Sequence, residues 1–285
     1  MTIDPEFLDE LDRFEASLEQ ETTANKQGER ESPSVGEGLT FSDYRRYAPG
    51  DDTRLIDWRL YARTEEFFIK QFEEERNLTV HVLLDASGSM GFGDGETKFE
   101  FGAKLGLGYA YLTAEEHDDF RFSVFRDRTD RLDTGKSTRG EVLALVDRLN
   151  ETVPDGETDF QTALEAYAAS IRSRSLVVVI TDGIGDLDGL ETGLASLSRN
   201  EVVLVQVLSP TELDPDVGGD TIFEDAESDL TRRTYFGGRL AEQYRDRVDA
   251  FVDDVATRAR DLRLTHELVT TDEPFFDAFA TIWVD

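Results

Sequence analysis

The sequence predicts an α/β fold: a mostly parallel sheet flanked by helices, preceded by a small β-rich extension. Three observations carry that expectation. From residue 79 onward, short valine-rich runs alternate with longer segments of helical period, the pattern of repeated strand–helix–strand units. One of the runs, 176–180, is apolar throughout, as a central strand buried on both faces must be, and 202–208 reads as a further central strand. A third, 81–84, ends in one carboxylate followed by two hydroxyls, and open α/β sheets place their sites at such strand tips.

Taken in order, residues 4–20 read as an amphipathic helix, with Phe7, Leu11, Phe14 and Leu18 on one face and Asp4-Pro5 at its start. A helix docked on its own domain and a partner-binding helix both fit that face. Residues 20–38 are polar and nearly free of apolar side chains, so 1–38 is expected to be a helix followed by a flexible acidic linker. Residues 39–79 form the β-rich extension, with a strand over 67–72 and a turn at Pro49-Gly50-Asp51-Asp52. Here Arg45, Arg46, Arg54, Arg59 and Arg63 stand beside Asp43, Asp51, Asp52 and Asp57. A buried ion-pair network would explain that mixture, and so would a site for phosphate or an acidic peptide.

Residues 80–285 are read as the main domain. Its first strand ends at Asp85. The helix over 97–116 has Phe101, Leu105, Tyr109 and Leu112 in one stripe, and small Ala103, Gly106 and Ala110 for close approach to a sheet. Residues 120–125 alternate as a half-exposed strand, and 129–133 pair beside it as an edge. A helix over 141–149 follows, then another capped by Thr158 and running to Ile171. After the strand at 176–180 come a helix at 187–197 and the strand at 202–208. Residues 209–236 break the alternation: Pro210, Pro215 and Gly218-Gly219 mark a loop, and a hairpin is expected across Ala226-Glu227-Ser228. A long helix at 237–262, a strand at 264–269 and a short helix at 275–282 close the chain.

The strand-tip string is Asp85-Ala86-Ser87-Gly88-Ser89-Met90. One hard anionic oxygen and two hydroxyl oxygens in one loop suit a divalent cation such as Mg²⁺. The plain alternative is a polar turn with a helix cap. The string resembles the first segment of the metal-ion-dependent adhesion site of von Willebrand factor A domains. That pattern also asks for a Thr in a later loop and an Asp at a later strand tip. Thr158, in Asp155-Gly156-Glu157-Thr158-Asp159, and Asp182, in Thr181-Asp182-Gly183, meet it in order. Upstream, Tyr44-Arg45-Arg46-Tyr47-Ala48-Pro49-Gly50-Asp51-Asp52 through Ile56-Asp57-Trp58 resembles the family called domain of unknown function 58, which joins this signature to such a domain. The resemblance implies a von Willebrand factor A-like fold and a metal held by Asp85, Ser87, Ser89, Thr158 and Asp182, with Mg²⁺, Mn²⁺ or Ca²⁺ as the ion. It implies a protein partner that offers a carboxylate to the metal. It also points to work beside a MoxR-type AAA+ ATPase, as an adaptor in assembling or maturing protein complexes.

Composition narrows the classes. With 30 Lys plus Arg against 62 Asp plus Glu, the formal charge of the 285-residue chain is −32. Repulsion of that size opposes compaction unless it is screened, and the Debye length falls to about 3 Å at molar salt. A salt-rich, haloarchaeal-type cytoplasm is the expected habitat. Nucleic acid is not an expected partner, because phosphate contacts need clustered cations. The absence of Cys excludes disulfides and thiolate metal sites. No apolar run approaches the roughly 18 residues of a membrane span, and the first residues do not read as a secretory signal.

Enzyme signatures fail in turn. Gly135-Lys136-Ser137 lacks the first glycine of a phosphate-binding loop, where Asp130 stands. An aspartyl phosphatase would want a second Asp at Ser87, and a serine-hydrolase elbow would want Gly where Ser87 or Asp85 stands. His81, His117 and His266 form no ligand-spaced pair. The expectation is a binding module rather than an enzyme; the alternative is an Mg²⁺-dependent hydrolase using the same site to activate water.

Overall fold

The computed structural model describes residues 3–4, 7–8, 11, 39–48, 56–64, 66–74, 79–93, 95–215, 219–224 and 231–283. The chain divides into two compact units, one of Met1–Glu19 with Leu78–Asp285 and one of Gln20–Asn77. The linker expected over 20–38 lies outside the described residues, as does the turn at 49–52.

In the smaller unit, β1 (Leu39–Arg46) pairs antiparallel with β2 (Phe68–Glu74), with a register shift between Phe41 and Asp43. Between them runs α1 (Trp58–Thr64), a helix that the sequence did not announce. Its start is held by Asp57, whose Oδ1 accepts the backbone N–H of Arg59 at 2.9 Å and of Leu60 at 3.0 Å. Ile56 and Ile69 are buried and bridge one another, and Tyr61 stacks on Phe67 at 4.5 Å. The buried Arg/Asp network is corrected for the described part of the signature. Arg46, Arg59 and Arg63 are exposed, and Arg46 pairs with Glu66 at the surface. Long charged side chains keep their hydration there, so burial gains nothing. The side chains of Asp43, Arg45, Asp51, Asp52 and Arg54 lie outside the described residues.

The larger unit is built on β3 (Thr79–Asp85), β4 (Asp119–Phe125), β5 (Thr129–Arg131), β6 (Leu176–Thr181), β7 (Glu201–Leu208) and β10 (Thr265–Thr270). Their order is β10-β7-β6-β3-β4-β5, all parallel except the edge strand β5. The chain thus enters at mid-sheet with β3, runs to one edge, then returns beside β3 with β6. That is a doubly wound, Rossmann-like order whose direction reverses between β3 and β6. The fold class is the one expected above.

Alternation divides the apolar side chains between two layers. Val80, Val82, Leu84, Phe120, Phe122, Val178 and Ile180 meet α2 (Lys98–Glu115), α3 (Arg139–Glu151) and α8 (Phe275–Trp283) on one face. Leu83, Phe125, Val177, Val179, Val202 and Leu204 meet α4 (Phe160–Ala168), α5 (Leu187–Leu197) and α7 (Gly238–Asp261) on the other. α2 lies close against the sheet because Gly102 and Gly106 leave room for it: a methyl at 106 would sit 2.8 Å from the Phe122 ring.

The N-terminal segment belongs to this core. Ile3, Leu8 and Leu11 are buried, Ile3 exchanges hydrogen bonds with the Asn150 side chain, and Phe7 meets Phe275 edge-on at 4.7 Å. The described part of the apolar face therefore docks on its own domain. Phe14 and Leu18 lie outside the described residues.

Two local readings change. Pro210 does not mark a loop but opens a one-turn helix, α6 (Pro210–Leu213), capped by a reciprocal pair between Ser209 and Glu212. Thr158 does not cap α4; Asp159 does, accepting from the Thr162 N–H, because the Thr158 hydroxyl is engaged elsewhere. Beyond α6, β8 (Gly219–Glu224) and β9 (Thr231–Phe236) pair antiparallel, and the expected hairpin tip lies outside the described residues. No helix among the described residues is long and apolar enough to cross a membrane.

Candidate functional site at the strand tips

β3 is buried along its whole length after Thr79, so Asp85 arrives at the strand end below the surface. Sites at the strand tips of open sheets ordinarily face a crevice open to solvent. Instead Asp85 and Asp182 have no exposed surface, Ser87 and Ser89 are buried, and only Thr158 is partly open. The cause is the layer of loops above the tips, which the main chain stitches together. Ala86 N–H donates to Phe125 O, Asp155 N–H to Ala86 O and Gly88 N–H to Gly156 O, all within 3.0 Å. Gly156 has φ +78°, a conformation that costs glycine little.

Asp85 is the hub. Its Oδ1 accepts the Ser87 N–H at 2.8 Å and the Thr158 hydroxyl at 3.1 Å; its Oδ2 accepts the Thr181 hydroxyl at 2.7 Å. Pairing of Leu84 with Ile180 across the two parallel strands sets Thr181 next to Asp85. The Ser87 and Ser89 hydroxyls share a hydrogen bond of 3.1 Å. Burial, and then the nearby Asp182 charge, push the Asp85 carboxyl up to about 7 against the pull of these donors.

Asp182 stands beside this group with its oxygens turned to other partners. Oδ1 accepts the Ile184 N–H at 2.9 Å, across a turn in which Gly183 has φ +72°. Oδ2 accepts from the Lys98 ammonium at 2.7 Å. Lys98 is the first residue of α2, is itself fully buried, and also reaches Glu212 at 2.5 Å. Burial would lower the Lys98 pKa, but the charges of Asp182 and Glu212 outweigh it and hold the ammonium above its usual value. Thus four of the five expected residues, Asp85, Ser87, Ser89 and Thr158, share one hydrogen-bonded group. Asp182 joins it through charge and is anchored by Lys98.

Sequence reasoning missed three participants. Thr181 follows the strand expected over 176–180 and carries no role in the sequence pattern. Lys98 was read as the start of a helix. Glu212 fell within a segment read as loop. A lysine at the head of an apolar helix, facing a strand tip that ends in Asp, was the available signal.

In donor type the group fits a hard cation: carboxylate and hydroxyl oxygens, with no soft ligand. Among the described residues no cluster of three or more His, Cys, Asp or Glu is placed to hold a metal. Any metal here would therefore rest on hydroxyls as much as on carboxylates.

The family model described as "Protein of unknown function DUF58" matches residues 43–252. The chain belongs to that family. A relative, "Uncharacterized protein Mb1516" of Mycobacterium bovis, is 25% identical over 262 residues, covering 90% of this chain and 82% of the relative. Among solved structures, the fold is similar to the conserved hypothetical protein BatB of Bacteroides thetaiotaomicron, with 14% identity, TM-score 0.44, and coverage of 73% of this chain and all of that one. It is also similar to "von Willebrand factor type A from Catenulispora acidiphila", with 15% identity and TM-score 0.36, over 63% of this chain and 43% of that one. Within the family match fall all five expected site residues, together with Lys98, Thr181 and Glu212.

Proposed function

We propose that the strand-tip group is a metal-dependent protein-binding site, and that the chain works as a binding module rather than a catalyst. One observation carries this reading. Each of the three loops that bring the oxygens together also exposes a large apolar side chain: Phe92 (43% exposed) after Ser89, Val153 (72%) before Thr158, and Ile184 (36%) after Asp182. The first two of these loops touch, since a methyl built on Gly91 would lie 3.6 Å from Pro154 Cβ. Polar oxygens among exposed apolar residues are the make-up of a protein-docking surface more than of a solvated loop.

Asp85, Ser87, Ser89, Thr158 and Asp182 would hold Mg²⁺, or Mn²⁺ or Ca²⁺. Such an ion supplies a positive centre to which a partner's Asp or Glu can bind. Ser87, Ser89 and Thr158 contribute oxygens without adding negative charge, and Lys98 offsets the charge of Asp182. The partner suggested by the family resemblance is a MoxR-type AAA+ ATPase, with the chain as a cytoplasmic adaptor in complex assembly. The test is capture of that ATPase by the full chain with Mg²⁺ and with EDTA. Binding should need the metal and fall when Phe92 and Ile184 are replaced by Ser. Capture at equal affinity in EDTA would sink the reading.

A further inference from the structure

The sheet face that carries α4, α5 and α7 is apolar beneath those helices but turns polar towards its β5 edge. Alternation along β4 sends Phe120, Phe122 and Val124 to the α2 side, and Arg121 and Ser123 to the other. The strand registers set His81 beside Arg121 and Ser123 beside Arg131. Tyr167 of α4 walls the opposite side, and Arg172 closes it from the turn that follows. Together they bound a cleft of about 770 Å³, within the size range of small-molecule sites.

Two independent features mark this cleft as a binding site. The first is charge. The chain carries twice as many acidic as basic residues, 62 against 30, yet four arginines line the cleft and one aspartate, Asp127. Three of the arginines have acidic neighbours: Arg131 with Asp133 at 2.5 Å, Arg128 with Asp130 at 3.3 Å, and Arg121 with Asp119 at 3.9 Å. Arg172 has no ion partner among the described residues. The same field acts on His81, whose pKa burial and then Arg121 hold down at about 4. The second feature is the Ser123 hydroxyl, which lines the cleft, is 1% exposed and has no hydrogen-bond partner. The Tyr167 hydroxyl is near enough to feel it, but no bond of ordinary geometry joins them, and Tyr167 is bound to His81 Nδ1 at 2.8 Å. Buried hydroxyls left unpaired are few in folded proteins. A ligand oxygen at the cleft floor would pair this one.

We infer that the cleft binds a small polyanion bearing phosphoryl or carboxylate oxygens, its charges facing Arg121, Arg131 and Arg172 and one oxygen accepting from Ser123. Guanidinium groups are suited to both oxyanions, through paired N–H donors. The proposed contacts lie away from the strand-tip group, since His81 and Arg121 come early in β3 and β4 and Asp85 ends β3, although the cleft's lining reaches past the end of β4 at Asp127 and Arg128.

Titration calorimetry on the full chain at one fixed ionic strength tests this, with pyrophosphate, inorganic phosphate and citrate as probes. Saturable binding of pyrophosphate or of citrate is expected, one per chain, and the tighter of the two identifies the phosphoryl or the carboxylate source. Ser123→Ala and Arg172→Gln should each weaken it by about tenfold. Neither change should lower the melting temperature, since Ser123 has no bond to lose and Arg172 is exposed. Asp85→Asn, at the strand tips, should leave it unchanged. No heat from any of the three anions overturns the inference. So does binding that survives intact in both cleft variants, or binding lost in Asp85→Asn.

Discussion

The Lys98 ammonium lies 2.7 Å from the Asp182 carboxylate, and neither side chain has any exposed surface. Removing one member of such a pair leaves an uncompensated charge in the interior, which costs about 3–5 kcal/mol. Lys98→Met should therefore lower the unfolding free energy by about that amount in denaturant titrations. Adding Asp182→Asn should recover part of the loss. A single variant as stable as the parent chain would show that the ammonium is not needed to hold the carboxylate.

Metal response is tested separately from partner capture. If Mg²⁺ binds the strand tips, saturating Mg²⁺ should raise the melting temperature, with a gain on the order of 2–3 kcal/mol at a hundredfold excess over Kd. Asp85→Asn keeps acceptors for Ser87 and Thr158 and should stay folded by circular dichroism. Asp85→Ala strands three donors at once and should be less stable. Ser87→Ala should also stay folded, having lost one bond to Ser89. The metal gain should vanish in Asp85→Asn and in Ser87→Ala. A gain of unchanged size in both would place the metal elsewhere.

His81 gives a pH signature. Its pKa is held at about 4, below the ordinary 6.5, by burial first and by Arg121 next, with Arg131 lowering it and Asp133 opposing. A histidine depressed in the fold contributes stability that is complete above its unfolded pKa and is lost as pH falls from about 6.5 towards 4. Between pH 7 and pH 5 the parent chain should lose about 2 kcal/mol more than His81→Phe in denaturant unfolding. Parallel losses in the two proteins would show that His81 titrates normally.

The net charge makes its own prediction. At −32 the carboxylates repel one another across the surface, so the melting temperature should rise steeply between about 0.1 M and about 3 M KCl. A flat response would show that pairs such as Arg258 with Asp188, Glu191 and Asp254 already absorb the repulsion.

Most of the sheet was legible because its strands speak through composition: Val177, Val178 and Val179 can be buried on both faces and little else. The strand-tip oxygens were legible because Asp85, Ser87 and Ser89 lie close together in sequence, and Thr158 and Asp182 each follow a recognisable break. Their depth was not legible. It depends on main-chain bonds such as Gly88 to Gly156, which join segments far apart in the chain and leave no trace in side-chain pattern. The same holds for Lys98, whose partners Asp182 and Glu212 are 84 and 114 residues away. α1 escaped notice because seven residues are too few to show a helical stripe, and its capping Asp57 sat among other charges.

The glycines of α2 carry a consequence for how relatives of this chain can vary. A methyl on Gly102 would lie 2.9 Å from Leu84 Cδ1 and 3.0 Å from Ile180 Cγ2, the residues just before Asp85 and just before Thr181. The helix that delivers Lys98 therefore rests on the two strands that deliver its surroundings, with no slack between them. Position 102 can grow only where position 84 or 180 shrinks, so these three should change together through divergence. A swap at one alone would lift the helix and carry the ammonium away from Asp182.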